Sequence, residues 1–196
     1  MKFPIQRMVI LPPRQVDLSH LHPRVHRLAL LVLTLCCVPA SGLAADPELS
    51  VTDWAGVQAQ VRAASGKVVV VQIWTMTCPG CREEFPEITR QLATLPQDQV
   101  EWIAVNCDYD GIAGKPPEWY QPRILEFLRK HPGRLVHLQL DVPLLDFLEQ
   151  QRLETTPAFY VYRRDGSLAH RFPKGNGDDS EVRDVLRSVQ SLARQG

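Results

Sequence analysis

The sequence predicts an α/β fold in which a central β-sheet is flanked by helices, and three observations carry the prediction. Segments of helical and strand periodicity alternate through most of the chain. Val68 to Trp74 is an almost unbroken β-branched run, the pattern of a strand buried on both faces of its sheet. That run leads into Cys78-Pro79-Gly80-Cys81, beyond which apolar residues recur at helical spacing.

Taken in order, Ser50 with Asp53 three residues on predicts a helix start, with Trp54, Val57 and Val61 on the apolar face and Gly66 at the end. Past Cys81, the residues Phe85, Ile88, Leu92 and Leu95 mark one helix face, and Pro86, which has no N–H, is expected to kink that helix. Val100 to Cys107 reads as the next strand. Alternation places Ile103, Val105 and Cys107 on one apolar face, so Cys107 is expected to be a buried, inert thiol. Gly111 to Pro117 reads as a loop, and Pro122 opens a helix carrying Ile124, Phe127 and Leu128 that ends near His131-Pro132-Gly133. Leu135 to Leu140 is a third strand, and Pro143 to Gln151 a short helix. Ala158 to Arg163 and Ser167 to Phe172 flank Asp165-Gly166, a dipeptide that closes tight antiparallel hairpins. Asp178 and Glu181 form a capping pair before a last helix with Val182, Val185, Leu186, Val189 and Leu192 on its face. Trp54, Trp74 and Trp102 are expected in the core, and Trp119 on a loop rim.

The N-terminal region has a different logic. Arg24, His26 and Arg27 precede the apolar run Leu28 to Val38, which is followed by Pro39-Ala40-Ser41-Gly42-Leu43-Ala44. Positive, then apolar, then small is the order of a secretory signal, and the run is short for a bilayer span. Residues 1–44 are therefore expected to be a signal peptide cleaved after Ala44, leaving 45–196 as one domain exported to the periplasm or bacterial cell envelope. The long leader before the apolar run leaves two alternatives, a later start such as Met8 and an uncleaved anchor. Cys36 and Cys37 would leave with the signal, and bulky Leu35 argues against lipid attachment at Cys36.

The 196-residue chain is 44% hydrophobic and 22% charged, as in ordinary globular proteins. Without residues 1–44 it carries 17 basic and 21 acidic residues, a net of −4. That charge gives no electrostatic footprint for nucleic acid, and no basic stripe interleaves with aromatics.

Three cysteines then remain, Cys78, Cys81 and Cys107, an odd number that favours one working pair over a purely structural framework. Cys78 and Cys81 stand three apart where a strand gives way to a helix, so both sulfurs share the first turn. Unpaired N–H groups and the positive end of the helix dipole stabilise a thiolate at that position, which makes Cys78 the expected nucleophile. Pro79 fits the first helical position, and Cys81, deeper in the turn, would resolve a mixed disulfide. A static disulfide and half of a zinc ribbon are the alternatives. Zinc needs four ligands, and Cys107, His131, His137 and His170 show no ligand spacing, so no metal or other cofactor is expected. A copper chaperone or non-catalytic binding module is a further alternative, since two soft thiolates suit copper(I).

The segment Ile73-Trp74-Thr75-Met76-Thr77-Cys78-Pro79-Gly80-Cys81-Arg82-Glu83-Glu84-Phe85-Pro86 resembles the active-site region of the TlpA/ResA-like thiol-disulfide reductases, a branch of the thioredoxin superfamily. The likeness runs in order from about Val68 to the C-terminus and includes Leu153-Glu154-Thr155-Thr156-Pro157-Ala158-Phe159 before the Asp165-Gly166 hairpin. It implies a thioredoxin-like fold, a central mixed β-sheet flanked by helices, with an inserted helix and strand of the TlpA type before the proline. It also implies that Pro157 is cis and faces the cysteines, leaving the Thr156 backbone to pair with an extended client strand. Trp74, Pro79 and Gly80 complete the client-facing set so implied, and Glu84 becomes a proton carrier beside the catalytic pair, its alternative being a solvated acid beside Glu83. The implied partners are disulfide-containing exported proteins, with apocytochrome c among them, and a membrane thiol-disulfide electron donor.

Three departures qualify the resemblance. Gln72 stands where many thioredoxins have a buried aspartate, and Gln cannot titrate. Thr77 replaces the aromatic residue usual before the first cysteine, and Pro79-Gly80 reverses the thioredoxin order. Intervening residues shift redox potential by several steps of about 30 mV, so reductase and oxidase both stay open.

Overall fold

A computed structural model describes residues 46–173 and 180–195. Its elements run β1 (Leu49–Thr52), α1 (Trp54–Ala63), β2 (Val68–Trp74), α2 (Pro79–Leu92), β3 (Val100–Asn106), a 3-10 turn (Pro117–Tyr120), α3 (Gln121–Lys130), β4 (Val136–Leu140), α4 (Leu144–Gln151), β5 (Ala158–Tyr162), β6 (Leu168–Pro173) and α5 (Ser180–Arg194). The strands form one mixed sheet in the order β1-β4-β3-β2-β5-β6. β1, β4, β3 and β2 are mutually parallel, and β5 and β6 are antiparallel to their neighbours. The C-terminal ends of β2, β3 and β4 and the start of β5 therefore share one edge of the sheet, and that edge is where the cysteine motif emerges.

Every residue of β2 is buried, as a strand at the middle of a two-sided sheet requires. Val69, Val71 and Ile73 pack with Val57 and Val61 of α1 and Phe147 of α4. On the opposite face Val68 and Val70 pack with Ile88 and Leu92 of α2 and Val182, Val185 and Val189 of α5. Trp74 ends that second face in a cluster with Cys81, Phe85, Ile124 and Leu128. The fold is thus thioredoxin-like, a mixed sheet between helices, with α3 and β4 inserted between β3 and α4.

One local expectation is corrected. Ser50 does not open a helix but lies in β1, which pairs parallel with β4 in the register Leu49↔His137 to Thr52↔Leu140. The helix begins four residues later, because Asp53 is the cap: its backbone is extended and its carboxylate accepts the Gly56 N–H at 2.8 Å. The predicted loop from Gly111 leads into the 3-10 turn, which is held in part by the Trp119 N–H on the Pro116 carbonyl at 2.9 Å. Helix α2 runs on through Pro86. The Asp165-Gly166 hairpin forms with Gly166 at φ +80°, a conformation that favours glycine. There the Arg163 N–H donates to the Ser167 carbonyl at 2.8 Å. Residues 1–44, expected to be a signal peptide, and Asp178 of the last capping pair lie outside the described residues.

His137, on β4, is 9% exposed, and its Nδ1 has no hydrogen-bond partner among the described residues. Burial lowers its pKa to about 4, whereas an unfolded histidine titrates near about 6.5. Between those values the unfolded chain binds the extra proton, so stability should be complete above about pH 6.5 and decline as pH falls toward about 4. The loss attributable to His137 is up to about 3 kcal/mol. Urea unfolding across this range should show the decline, and His137→Leu should flatten it. An unchanged slope in the variant would remove His137 from the acid response.

Candidate active site

Strand β2 delivers the chain at Trp74, a short turn follows, and Pro79 opens α2. Cys78 is the helix cap, with extended backbone at φ −87° and ψ 110°. Its sulfur accepts the Cys81 N–H at 3.1 Å. This is the geometry that favours a thiolate, since the free N–H groups of a first helical turn converge on the capping atom. Cys78 and Cys81 are joined in a disulfide with their Cα atoms 5.3 Å apart. Their exposures differ: Cys81 is fully buried, whereas Cys78 is half-buried beside exposed Pro79.

Facing the pair, the Thr156–Pro157 peptide bond is cis. The Thr156 carbonyl oxygen stands 3.3 Å from the Cys78 sulfur, close enough to accept from the thiol once the disulfide is reduced. Thr156 is half-buried and Pro157 buried, and β5 begins at the next residue. The half-buried sulfur therefore lies at a junction of two backbone segments, the first turn of α2 and the approach to β5.

Beneath the motif lies an aromatic floor. Trp74 packs 5.0 Å from Phe85 and 5.5 Å from Phe127, centroid to centroid, and Phe85 and Phe127 stand edge-to-face at 5.3 Å. At 1% exposed, Trp74 offers no surface to a client, which corrects its expected place among the substrate-contacting residues. Its ring supports Cys81 from below instead. Glu84 sits one turn past Cys81 on α2, half-buried, with Oε2 shielded from solvent. Gln72 is fully buried and accepts the Trp102 indole N–H at 3.1 Å. Cys107 is buried in the opposite core layer, and burial first, then the neighbouring Asp108 charge, pushes its thiol far above the usual thiol range.

The AhpC/TSA family model matches residues 44–171, well over half of the chain. The chain belongs to the AhpC/TSA family. Among solved structures it is similar to a thiol-disulfide isomerase from Corynebacterium glutamicum at 24% identity and a TM-score of 0.51, covering 76% of this chain and 97% of that one. It is also similar to a secreted Mycobacterium tuberculosis disulfide oxidoreductase homologous to E. coli DsbE, at 21% identity and a TM-score of 0.50, covering 66% of this chain and 85% of that one. These likenesses show a shared thioredoxin-like fold. Comparison with curated proteins finds no match.

In this AhpC/TSA chain the structure adds a group that sequence reasoning missed. Asp108, just past β3, is 8% exposed, and its Oδ2 accepts the Met76 N–H at 2.8 Å and the Asn106 side-chain amide at 2.7 Å. Asn106 returns the contact by accepting the Asp108 N–H at 2.9 Å. Arg123 of α3 reaches the other carboxylate oxygen at 3.3 Å from solvent. An acid directly after an apolar strand, Asn106-Cys107-Asp108, is the available sequence signal, because such a charge is buried only when partnered.

Proposed function

We propose that the protein is a thiol-disulfide oxidoreductase of the bacterial cell envelope that reduces disulfides of exported proteins through Cys78 and Cys81. The observation carrying this reading is the disulfide at the tip of α2, between half-buried Cys78, whose sulfur accepts a helix N–H, and fully buried Cys81. In the reduced protein the Cys78 thiolate attacks one sulfur of a client disulfide, forming a mixed disulfide and releasing the other client sulfur as a thiolate. Cys81, deprotonated, then attacks the Cys78 sulfur, freeing the second client sulfur and closing the Cys78–Cys81 bond. Two electrons pass to the client, and each departing thiolate takes a proton.

Glu84 is the proton carrier for Cys81 in this scheme, supported by its place one turn along the same helix and its shielded oxygen. Thr156 and Pro157 receive the client backbone, with exposed Pro79 and half-buried Gly80 opposite them. A membrane thiol-disulfide donor restores the dithiol, and clients such as apocytochrome c fit the TlpA/ResA-like pattern of the motif. The envelope location rests on the order of residues 24–44 and agrees with the secreted character of the M. tuberculosis neighbour.

The test is the equilibrium of the Cys78/Cys81 couple against glutathione. A reductase should be poised below glutathione and stand mainly as the disulfide in a balanced mixture. A couple that stays mainly dithiol there would overturn the reductase reading in favour of an oxidase.

A further inference from the structure

The segment between β2 and the first cysteine has few anchors of its own. The Cys78 N–H meets the Thr75 carbonyl at a long 3.4 Å, and the Thr75 and Thr77 hydroxyls lie 3.1 Å apart. Among the described residues, a tie that leaves the segment altogether is the Met76 N–H on Asp108. That carboxylate is itself held by the Asn106 amide and by Arg123, and the Asp108 backbone N–H donates in turn to the Asn106 side-chain oxygen. Asn106 is fully buried and in register with Trp74, so the clasp is built on the pairing of β2 with β3.

A buried anion so close to the chain that carries Cys78 presents a conflict. A negative charge opposes the formation of a thiolate nearby, and opposes it more strongly where water is excluded. The Arg123 guanidinium, 58% exposed against 2% for the Asp108 side chain, reaches inward to the carboxylate and offsets that charge. The arrangement can therefore hold the turn by a charge-assisted hydrogen bond, stronger than a neutral one, without penalising the nucleophile.

We propose that Asp108 is a positioning residue for Cys78, holding through the Met76 amide the turn that aims the nucleophilic sulfur, and that Arg123 is the counter-charge that makes an acid tolerable there. This deepens the oxidoreductase reading and rests on it. Neither residue touches the disulfide in the described contacts, so the effect is transmitted by the backbone and by charge.

The test is the equilibrium constant of the Cys78/Cys81 couple against dithiothreitol in the full chain, with the wild type measured alongside. Asp108→Ala removes the anchor and should move the equilibrium toward the disulfide by about fivefold or more, because the thiolate of the reduced form loses its support. Asp108→Asn can keep an oxygen on the Met76 N–H and should not show that displacement. Arg123→Gln, a surface change that leaves the core intact, exposes the nucleophile to an uncompensated carboxylate and should shift the equilibrium the same way by about twofold to threefold, less at high salt. Adding Asp108→Asn to Arg123→Gln should cancel that shift.

A role in packing alone would leave Arg123→Gln at the wild-type value, and that result overturns the proposal even if Asp108→Ala fails to fold. It is equally overturned if the double variant is displaced as far as Arg123→Gln. The wild-type constant decides the reductase reading, whereas the differences between variants decide the clasp, so the two fail separately.

Discussion

Cys78→Ser should reduce disulfide exchange to the uncatalysed background, a loss on the order of a thousandfold or more, while leaving the fold in place. Serine keeps the shape of the cap and can still accept the Cys81 N–H, so stability should change little relative to the reduced wild type. What disappears is the attacking sulfur, since a hydroxyl is a poor nucleophile near neutral pH. Cys81→Ser should behave differently, because attack by Cys78 survives but resolution does not. Client proteins should then accumulate as mixed disulfides on Cys78, visible as reducible adducts on non-reducing gels. Full exchange activity in the Cys78→Ser protein would refute the assignment. Adducts on Cys81 rather than Cys78 in the reciprocal single variants would reverse the two roles.

The second large effect is expected from the floor of the site. Trp74 is fully enclosed by Phe85, Phe127 and Cys81, so Trp74→Ala leaves a cavity that three rigid groups fill poorly. Removal of a large buried aromatic costs about 3–5 kcal/mol. Urea unfolding of the oxidised protein should show that loss as a lower midpoint. Trp74→Phe, which keeps much of the ring volume, should recover more than half of it. If Trp74→Ala unfolded at the wild-type midpoint, the ring would be dispensable to the core and its exclusion from the client surface would lose its physical basis.

How far the sequence revealed this arrangement varied with the range of the interactions involved. The strand Val68–Trp74, the break at Cys78 and the helix from Pro79 were legible because each has a local cause: a β-branched run, a proline at the first helical position, and apolar residues at helical spacing. The cis bond before Pro157 was legible only through the resemblance, since composition near a proline does not fix the isomer. β1 was not legible. Ser50, three residues before the true cap Asp53, imitates a helix start, and what makes Leu49–Thr52 a strand is pairing with β4, more than eighty residues away. Asp108 was missed for a related reason. Its value to the site depends on β2 and β3 lying parallel with Trp74 opposite Asn106, a register that exists only after folding. Trp74 was both a core candidate and a client-contact candidate in the sequence, and its burial decides for the core.

In the proposed exchange, the first turn of α2 activates one sulfur and shelters the other. Alkylation of the reduced, folded protein near neutral pH, with the modified positions located by peptide mass mapping, tests it most directly. Cys78 should react several-fold faster than free cysteine at the same pH, with Cys81 and Cys107 nearly silent. A Cys78 that reacted no faster than free cysteine, or label appearing equally on Cys81, would rule out an activated sulfur and leave the pair as scaffolding.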